Sequence, residues 1–312
     1  MTGKINKKPI TVSIMPTYYC RNKCNYCYLG EQTNQAKIFD LKLLAKQLAQ
    51  IARFYIIESV ELYGGDLSIL SENFITEMDD ILLEYTENII YTSSPTPHTS
   101  HYKNINISVN HQRPDYGKNL ELVTKEHPEY NVITVALDWE RHVSARYLLR
   151  QYNGCKGYVT FIPYSQSWNN KEYPERFSAS AYDEFLLQII REYYDYRHEY
   201  TFKLSNLELI RDAINGKYTP EMENNIFITP NNKFACVSYL RGFEFFREFK
   251  TVGEWKKIAE ADRENYLQRC AHCEFYKKGC VADHVVPHLD CNGCRQTVDW
   301  VRQFAMEDKR WI

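Results

Sequence analysis

Over its first two hundred residues the chain alternates short β-rich runs with helical patterns, and this alternation narrows the possible folds more than any other feature. The runs are "ITVSIM" (10–15), "SVELYGG" (59–65), "NIIYTSS" (88–94), "NINISVN" (104–110), "NVITVALD" (131–138) and "GYVTFIPYS" (157–165). They are rich in Val, Ile, Tyr and Thr, side chains that fit a pleated, half-buried surface. Asp40 precedes a helical stripe of Leu41, Leu44, Ala45, Leu48, Ala52 and Tyr55, and Ser71 precedes one of Phe74, Met78, Ile81, Leu82 and Tyr85. Short oxygen-bearing side chains in such places cap helices. "WERHVSARYLLRQYNG" predicts one more helix, ended by Gly154, while "RPDYGKNLELVTKEHPEY" carries two prolines and a glycine and predicts helix less strongly. Strands alternating with helices imply right-handed crossovers and a parallel sheet. Six strands are too few for a full eight-stranded barrel, so the expected fold is α/β, a partial (β/α)6 TIM-like barrel.

Farther along, Tyr182, Phe185, Leu186, Ile189 and Tyr193 mark a longer helix, "YTFKLSN" a further strand, and a short helix ends at Gly216. The texture then changes. "NIFITPNNKFACVSY" predicts a hairpin turning at Asn231 and Asn232, and "TVGEWKKIAEADRENYL" a helix opened by a Thr251…Glu254 capping box. The tail "CAHCEFYKKGCVADHVVPHLDCNGC" is loop-like and cysteine-rich. The expected division is 1–216 for the barrel core and 217–312 for a small cysteine-rich α+β domain.

A formal charge of −2 leaves no basic footprint, so nucleic acid is not an expected partner. "MTGKINKKPI" is polar and basic and no long apolar run follows, which predicts neither signal peptide nor membrane span, hence a cytoplasmic protein. Ten cysteines in that setting are metal ligands or reactive thiols rather than disulfides. Cys20, Cys24 and Cys27 fall within eight residues, just past the first strand, where parallel α/β folds place active sites. Three thiolates can hold three irons of a cubane [4Fe–4S] cluster and leave the fourth iron open to a ligand. The competing reading is a structural zinc loop that borrows Cys155 or a histidine.

The spacing Cys20-x3-Cys24-x2-Cys27, with Tyr26 before the last cysteine, resembles the signature of the radical S-adenosylmethionine (radical SAM) enzymes. The resemblance implies a [4Fe–4S] cluster whose open iron binds the methionine part of S-adenosylmethionine (SAM). One electron from that cluster would cleave SAM to methionine and a 5′-deoxyadenosyl radical, which abstracts a substrate hydrogen, while the protein supplies position and excludes water. The resemblance also implies cofactor contacts at Tyr26 and at Gly64, Gly65 and Asp66, where the family usually has Gly-Gly-Glu. Ser108 and Asn110 would serve the ribose and the methionine carboxylate, and Phe161 or Ile162 would flank the adenine. Thr92, Ser93 and Asp138 stand at comparable strand ends. The structural alternatives are a tight turn at the glycines, a turn-forming Ser108 and plain core at 161–162.

From Cys236 onward the layout resembles the SPASM extension, or its shorter relative the twitch domain, which carries auxiliary [4Fe–4S] clusters. A full SPASM set has seven or more cysteines; this tail has six, and His284 stands where another is usual. The resemblance therefore implies one auxiliary cluster on Cys270, Cys273 and Cys280, completed by Cys291 or Cys294, with Cys236 a further candidate. One or two zinc ions are the alternative. Cys155, in "NGCKGY", is a candidate catalytic thiol, against the plain reading of a small buried hydrophobe.

Enzymes of this architecture mostly modify ribosomally made peptides through crosslinks, thioethers, epimerisation or excision. The expected function is a radical SAM peptide maturase acting on a precursor peptide, with a reductase, flavodoxin or ferredoxin as electron donor. The chain starts too close to its first strand for an N-terminal peptide-recognition domain, so the leader would dock on the barrel or on a separate recognition protein. The alternatives are a SPASM-type dehydrogenase of a protein side chain or small molecule, and a zinc-stabilised binding module.

Overall fold

The computed structural model describes residues 7–164, 178–217, 225–237, 246–270, 272–275, 280 and 294–306. Its strands are β1 (Lys8–Ile14), β2 (Tyr55–Leu62), β3 (Ile89–Thr92), β4 (Asn104–Ser108), β5 (Asn131–Val135), β6 (Tyr158–Ile162), β7 (Lys203–Leu204), β8 (Asn225–Ile228), β9 (Phe234–Val237) and β10 (Phe246–Phe249). The helices are α1 (Leu41–Phe54), α2 (Glu72–Leu83), α3 (Tyr116–Glu121), α4 (Asp138–His142), α5 (Ala145–Arg150), α6 (Ala179–Asp195), α7 (Ser205–Ile214), α8 (Val252–Cys270) and α9 (Arg295–Trp300). All ten strands form one sheet in the order β10-β9-β8-β1-β2-β3-β4-β5-β6-β7. Every pairing from β8 through β7 is parallel, and β8, β9 and β10 pair antiparallel. The expected α/β partial barrel is present, with each of the six β-rich runs forming a strand. Among the described residues no helix is long and apolar enough to cross a membrane.

The caps form as their side chains predict. Asp40 accepts the Lys42 N–H at 2.8 Å and Ser71 that of Phe74 at 3.3 Å. Thr251 and Glu254 exchange both bonds of the capping box, at 3.1 and 3.3 Å. Behind its cap, α1 lays Leu44, Leu48 and Ile51, all fully buried, against the sheet. Burying a side chain of this size contributes about 1.5–3 kcal/mol.

Two connections differ from expectation. The single helix expected over "WERHVSARYLLRQYNG" is α4 and α5, separated at Val143 and Ser144, because extended Ser144 turns its hydroxyl to the Tyr147 N–H at 3.2 Å and caps a new helix. The weak segment between β4 and β5 is α3 followed by a π-helical turn, Leu122–Glu126. Gly154 (φ +108°) packs against that turn: a Cβ there would lie 2.4 Å from the Thr124 carbonyl oxygen.

The hairpin at 225–237 turns at Asn232 (φ +52°) and does not stand apart from the barrel sheet, because β8 pairs with β1. Its turn also grips the start of α1. Asn232 accepts the Asp40 N–H at 2.9 Å, and Lys37 reaches Asn231 at 2.6 Å. Helix α9 docks on α6 through Asp183, whose carboxylate accepts the N–H groups of Gln296 and Thr297 at 3.0 and 3.1 Å and the Thr297 hydroxyl at 2.7 Å. Asp183→Ala strips these buried donors, and urea denaturation should show a loss of about 1–3 kcal/mol. A loss below experimental error would mean that α9 is held by packing alone.

Candidate functional site

The cysteine loop leaves the C-terminal end of β1 and curls back under backbone control. The Cys20 N–H donates to Thr33 O at 3.1 Å, Cys27 N–H to Cys24 O at 3.0 Å and Gly30 N–H to Cys27 O at 3.1 Å. The turn after β2 is stitched to the same loop, with Gly65 N–H donating to Thr17 O at 2.9 Å and Asp66 N–H to Tyr19 O at 2.7 Å. At Gly65 the approach is so close that a Cβ would lie 2.1 Å from Tyr19 O. Gly64 adds a left-handed φ of +127°. The glycine pair is thus required by contact with the loop as well as by the turn.

Loop and turn wall a cavity of about 470 Å³ at the C-terminal ends of the strands. Cys20, Cys24, Cys27, Tyr26, Gly64, Gly65, Asp66, Ser108, Asn110 and Ile162 all line it, as do Thr92 and Ser93. The sequence candidates for the front site thereby meet in one place. Phe161 does not; it is fully buried among core aromatics. The tail hairpin supplies another part of the wall through Phe227, which meets Tyr63 with ring centroids 6.3 Å apart; on β10, Phe246 meets Tyr28 at 6.2 Å.

Two candidates already have internal partners. Asp66 accepts Arg21 Nε–H at 2.7 Å on one carboxylate oxygen and the Ser68 N–H at 3.1 Å on the other. Asn110 donates to Val135 O at 2.9 Å and Glu140 Oε1 at 3.3 Å, and accepts the Gln112 N–H at 3.1 Å. Both residues therefore hold loops together beside the cavity.

Burial pushes the Cys27 thiol up to about 11, against N–H groups of Leu29 and Gly30 that favour its thiolate. Cys24 is likewise raised by burial, opposed by the Arg113 guanidinium and the Tyr26 hydroxyl. Arg113 is held in a two-pronged pair with Asp115, at 2.8 and 2.9 Å, and Asn22 of the cysteine loop donates to the same carboxylate at 3.0 Å. Half-buried thiols beside hydrogen-bond donors suit a cationic iron centre, which supplies the charge that makes thiolates stable there. Among the described residues no three His, Cys, Asp or Glu side chains close on a single metal ion.

Cys155 lies elsewhere. It precedes β6, at the opposite end of the strand from the cavity, is fully buried and donates its thiol to Tyr130 O at 3.4 Å. Burial pushes that thiol up to about 11. The structure thus places Cys155, the candidate catalytic thiol, in the core and not among the residues that line the cavity. Asp138 opens α4 just past β5. In the tail, Cys270 ends α8, Cys280 and Cys294 are buried, Cys273 is half-buried, and Cys236 sits on β9. Arg295 reaches Cys273 Sγ at 3.9 Å, which brings the start of α9, with Cys294, beside the Cys270–Cys273 turn. Cys291 and His284 lie outside the described residues.

No family model matches the sequence, and no curated protein matches it either. Solved structures do. AnSMEcpe with bound AdoMet matches at a TM-score of 0.65 and 14% identity, covering 95% of this chain and 97% of that one. The same protein with AdoMet and the Cp18Cys peptide matches at 0.64 and 13%, over 95% and 97%. The chain shares its fold. SuiB of Streptococcus suis bound to S-adenosylmethionine matches at 0.57 and 14%, over 87% of this chain and 72% of that one. SuiB bound to the precursor peptide SuiA matches at 0.52 and 14%, over 78% and 62%.

Among the cavity residues that sequence reasoning missed are Glu61, Tyr63, Asn106, Arg113 and Asn119. A signal existed for the first: an acid inside the β-rich run "SVELYGG". Arg113 was hidden in a segment whose prolines read as a break.

Proposed function

We propose that this chain is a radical SAM enzyme that modifies a ribosomally made peptide. The observation that carries the reading is the meeting of the Cys20–Cys24–Cys27 loop with the Gly64-Gly65 turn at one cavity, in a fold shared with proteins solved with AdoMet and with peptides. Residues 1–216 would form the SAM-cleaving core and 217–312 the auxiliary-cluster region. Cys20, Cys24 and Cys27 would hold a [4Fe–4S] cluster that, when bound, supplies the electron for cleaving SAM. Tyr26 and the Leu29 and Gly30 N–H groups would stabilise the thiolates. The Gly64 and Gly65 carbonyls would accept the methionine ammonium, Ser108 the ribose, and Ile162 would border the adenine. Phe227 and Tyr63 exclude water from one side.

In the tail, Cys270, Cys273, Cys280 and Cys294 would hold one auxiliary cluster, supported by the contact between Arg295 and Cys273. Cys236 and Cys291 remain further candidates. The electron donor would be a reductase, flavodoxin or ferredoxin, and a separate protein would present the leader peptide if the barrel itself does not. Protein purified anaerobically should be brown and carry about eight iron and eight sulfide per chain, two cubanes' worth. Iron near half that value, with stoichiometric zinc, would remove the auxiliary cluster from the proposal.

Asp66 would act by anchoring the cysteine loop through Arg21. Asp66→Ala should therefore weaken SAM binding about tenfold with cluster content retained, the scale expected for loss of an outer support. Unchanged affinity by equilibrium dialysis would leave Asp66 without a role at the site. Mass spectrometry of a short peptide encoded beside the gene, co-expressed with the enzyme, tests the proposal as a whole. A peptide of unchanged mass, together with no 5′-deoxyadenosine from SAM and dithionite, would refute it.

A further inference from the structure

Glu61 is an acid at the penultimate position of the parallel strand β2, and the site described above gives it no task. On β2 it lies between Val60 and Leu62, which are fully buried, so it points with Tyr63 to the side of the sheet that faces the cavity. One carboxylate oxygen accepts the Ser13 hydroxyl at 2.9 Å. Among the described residues no cation pairs with this carboxylate, whereas the Asp66 and Arg113 charges at the same cavity are matched by Arg21 and Asp115 at 2.7 and 2.8 Å. Burial raises the Glu61 carboxyl above the ordinary carboxylate range, and only Ser13 opposes it.

A carboxyl group so placed carries a desolvation cost that a neutral residue would avoid. Ser13 needs only an acceptor, which a neutral glutamine would supply equally well. The group that gains from a carboxylate here is a cation entering the cavity. Its arrival would favour the ionised form and replace lost hydration with a charge-assisted hydrogen bond. Asn106, Ser108 and Ile133 border the same space and leave it mixed in polarity.

We infer that Glu61 determines substrate specificity by receiving a cationic nitrogen of the substrate, the ammonium or guanidinium of a lysine or arginine side chain. The inference rests on the proposed function for the nature of the site and deepens it by naming the substrate class. SAM also carries an ammonium group. The Gly64 turn assigned to that group lies beyond the end of β2, up to about 10 Å from Glu61 for three residues of chain.

The test is calorimetric titration of the full-length protein, with and without SAM, using n-butylguanidinium, n-butylammonium and neutral n-pentanol as probes. Both cations should bind at least about tenfold more tightly than the alcohol, the scale of a charge-assisted hydrogen bond. Glu61→Gln keeps the shape and the Ser13 acceptor, and should abolish the preference while SAM affinity holds. Equal binding of cation and alcohol to the unaltered protein overturns the inference, as does a preference that survives Glu61→Gln. A fall in SAM affinity in that variant assigns Glu61 to the cofactor and also overturns it. If Glu61→Gln does not fold, the three-probe series on the unaltered protein decides alone. Cation preference in a protein that never cleaves SAM would refute the proposed function and leave this inference standing.

Discussion

With Cys20, Cys24 and Cys27 all replaced by alanine, iron content should fall by about half and SAM cleavage should drop to the no-enzyme rate, because the proposal gives the tail cysteines a cluster of their own. The thermal midpoint should move little. The loop is held by backbone hydrogen bonds at the mouth of the sheet, and the buried core is built from other residues. Anaerobic assay with dithionite and SAM, with iron measured on the same sample, reads both effects. Any 5′-deoxyadenosine above the no-enzyme control would show that the triad is not the radical-generating site.

Gly65→Ala is expected to be nearly as severe although it removes no ligand. The new methyl carbon would stand 2.1 Å from Tyr19 O and 2.7 Å from Tyr18 O, backbone atoms with no rotamer to yield. The cysteine loop and the β2 turn must separate. Overpacking of this kind costs about 1–3 kcal/mol of stability. A displacement of about 1 Å at a reacting centre can lower activity about a hundredfold. Gly117→Ala is the control: nothing lies within 4 Å of its added carbon, and alanine in α3 should stabilise the helix by up to about 1 kcal/mol. If Gly65→Ala retains full SAM cleavage, the glycine pair does not set the loop against the turn.

The barrel strands were legible because each is a β-branched or aromatic run between turn residues, and the long helices because their stripes follow caps such as Asp40 and Ser71. Ser144 hid a boundary: in sequence it looks like one polar residue on a continuous helix, and only its extended backbone makes it a cap. The π-helical turn at 122–126 has no composition of its own. At the site, cysteine spacing located the loop, and strand ends located Gly64, Gly65, Asp66, Thr92, Ser93, Ser108, Asn110 and Ile162. Sequence could not show that Asp66 and Asn110 have internal partners, since Arg21, Val135 and Glu140 reach them only through the fold. Cys155 misled because proximity along the chain to a barrel strand does not say which end of the strand it occupies.

The pairing of β8 with β1 also bears on how the protein is made. Thr11–Ile14 bond on one side to β2 and on the other to Asn225–Ile228, so that edge stays bare until roughly two hundred more residues have left the ribosome. Met15, at the root of the cysteine loop, must wait for the carbonyl of Ile228, and Tyr28 for the ring of Phe246. A nascent chain stopped before the hairpin displays an unpaired strand beside three free thiols, a surface prone to joining another copy. The cavity wall beside Tyr63 thus closes last, because Phe227 reaches it only once β8 has joined β1.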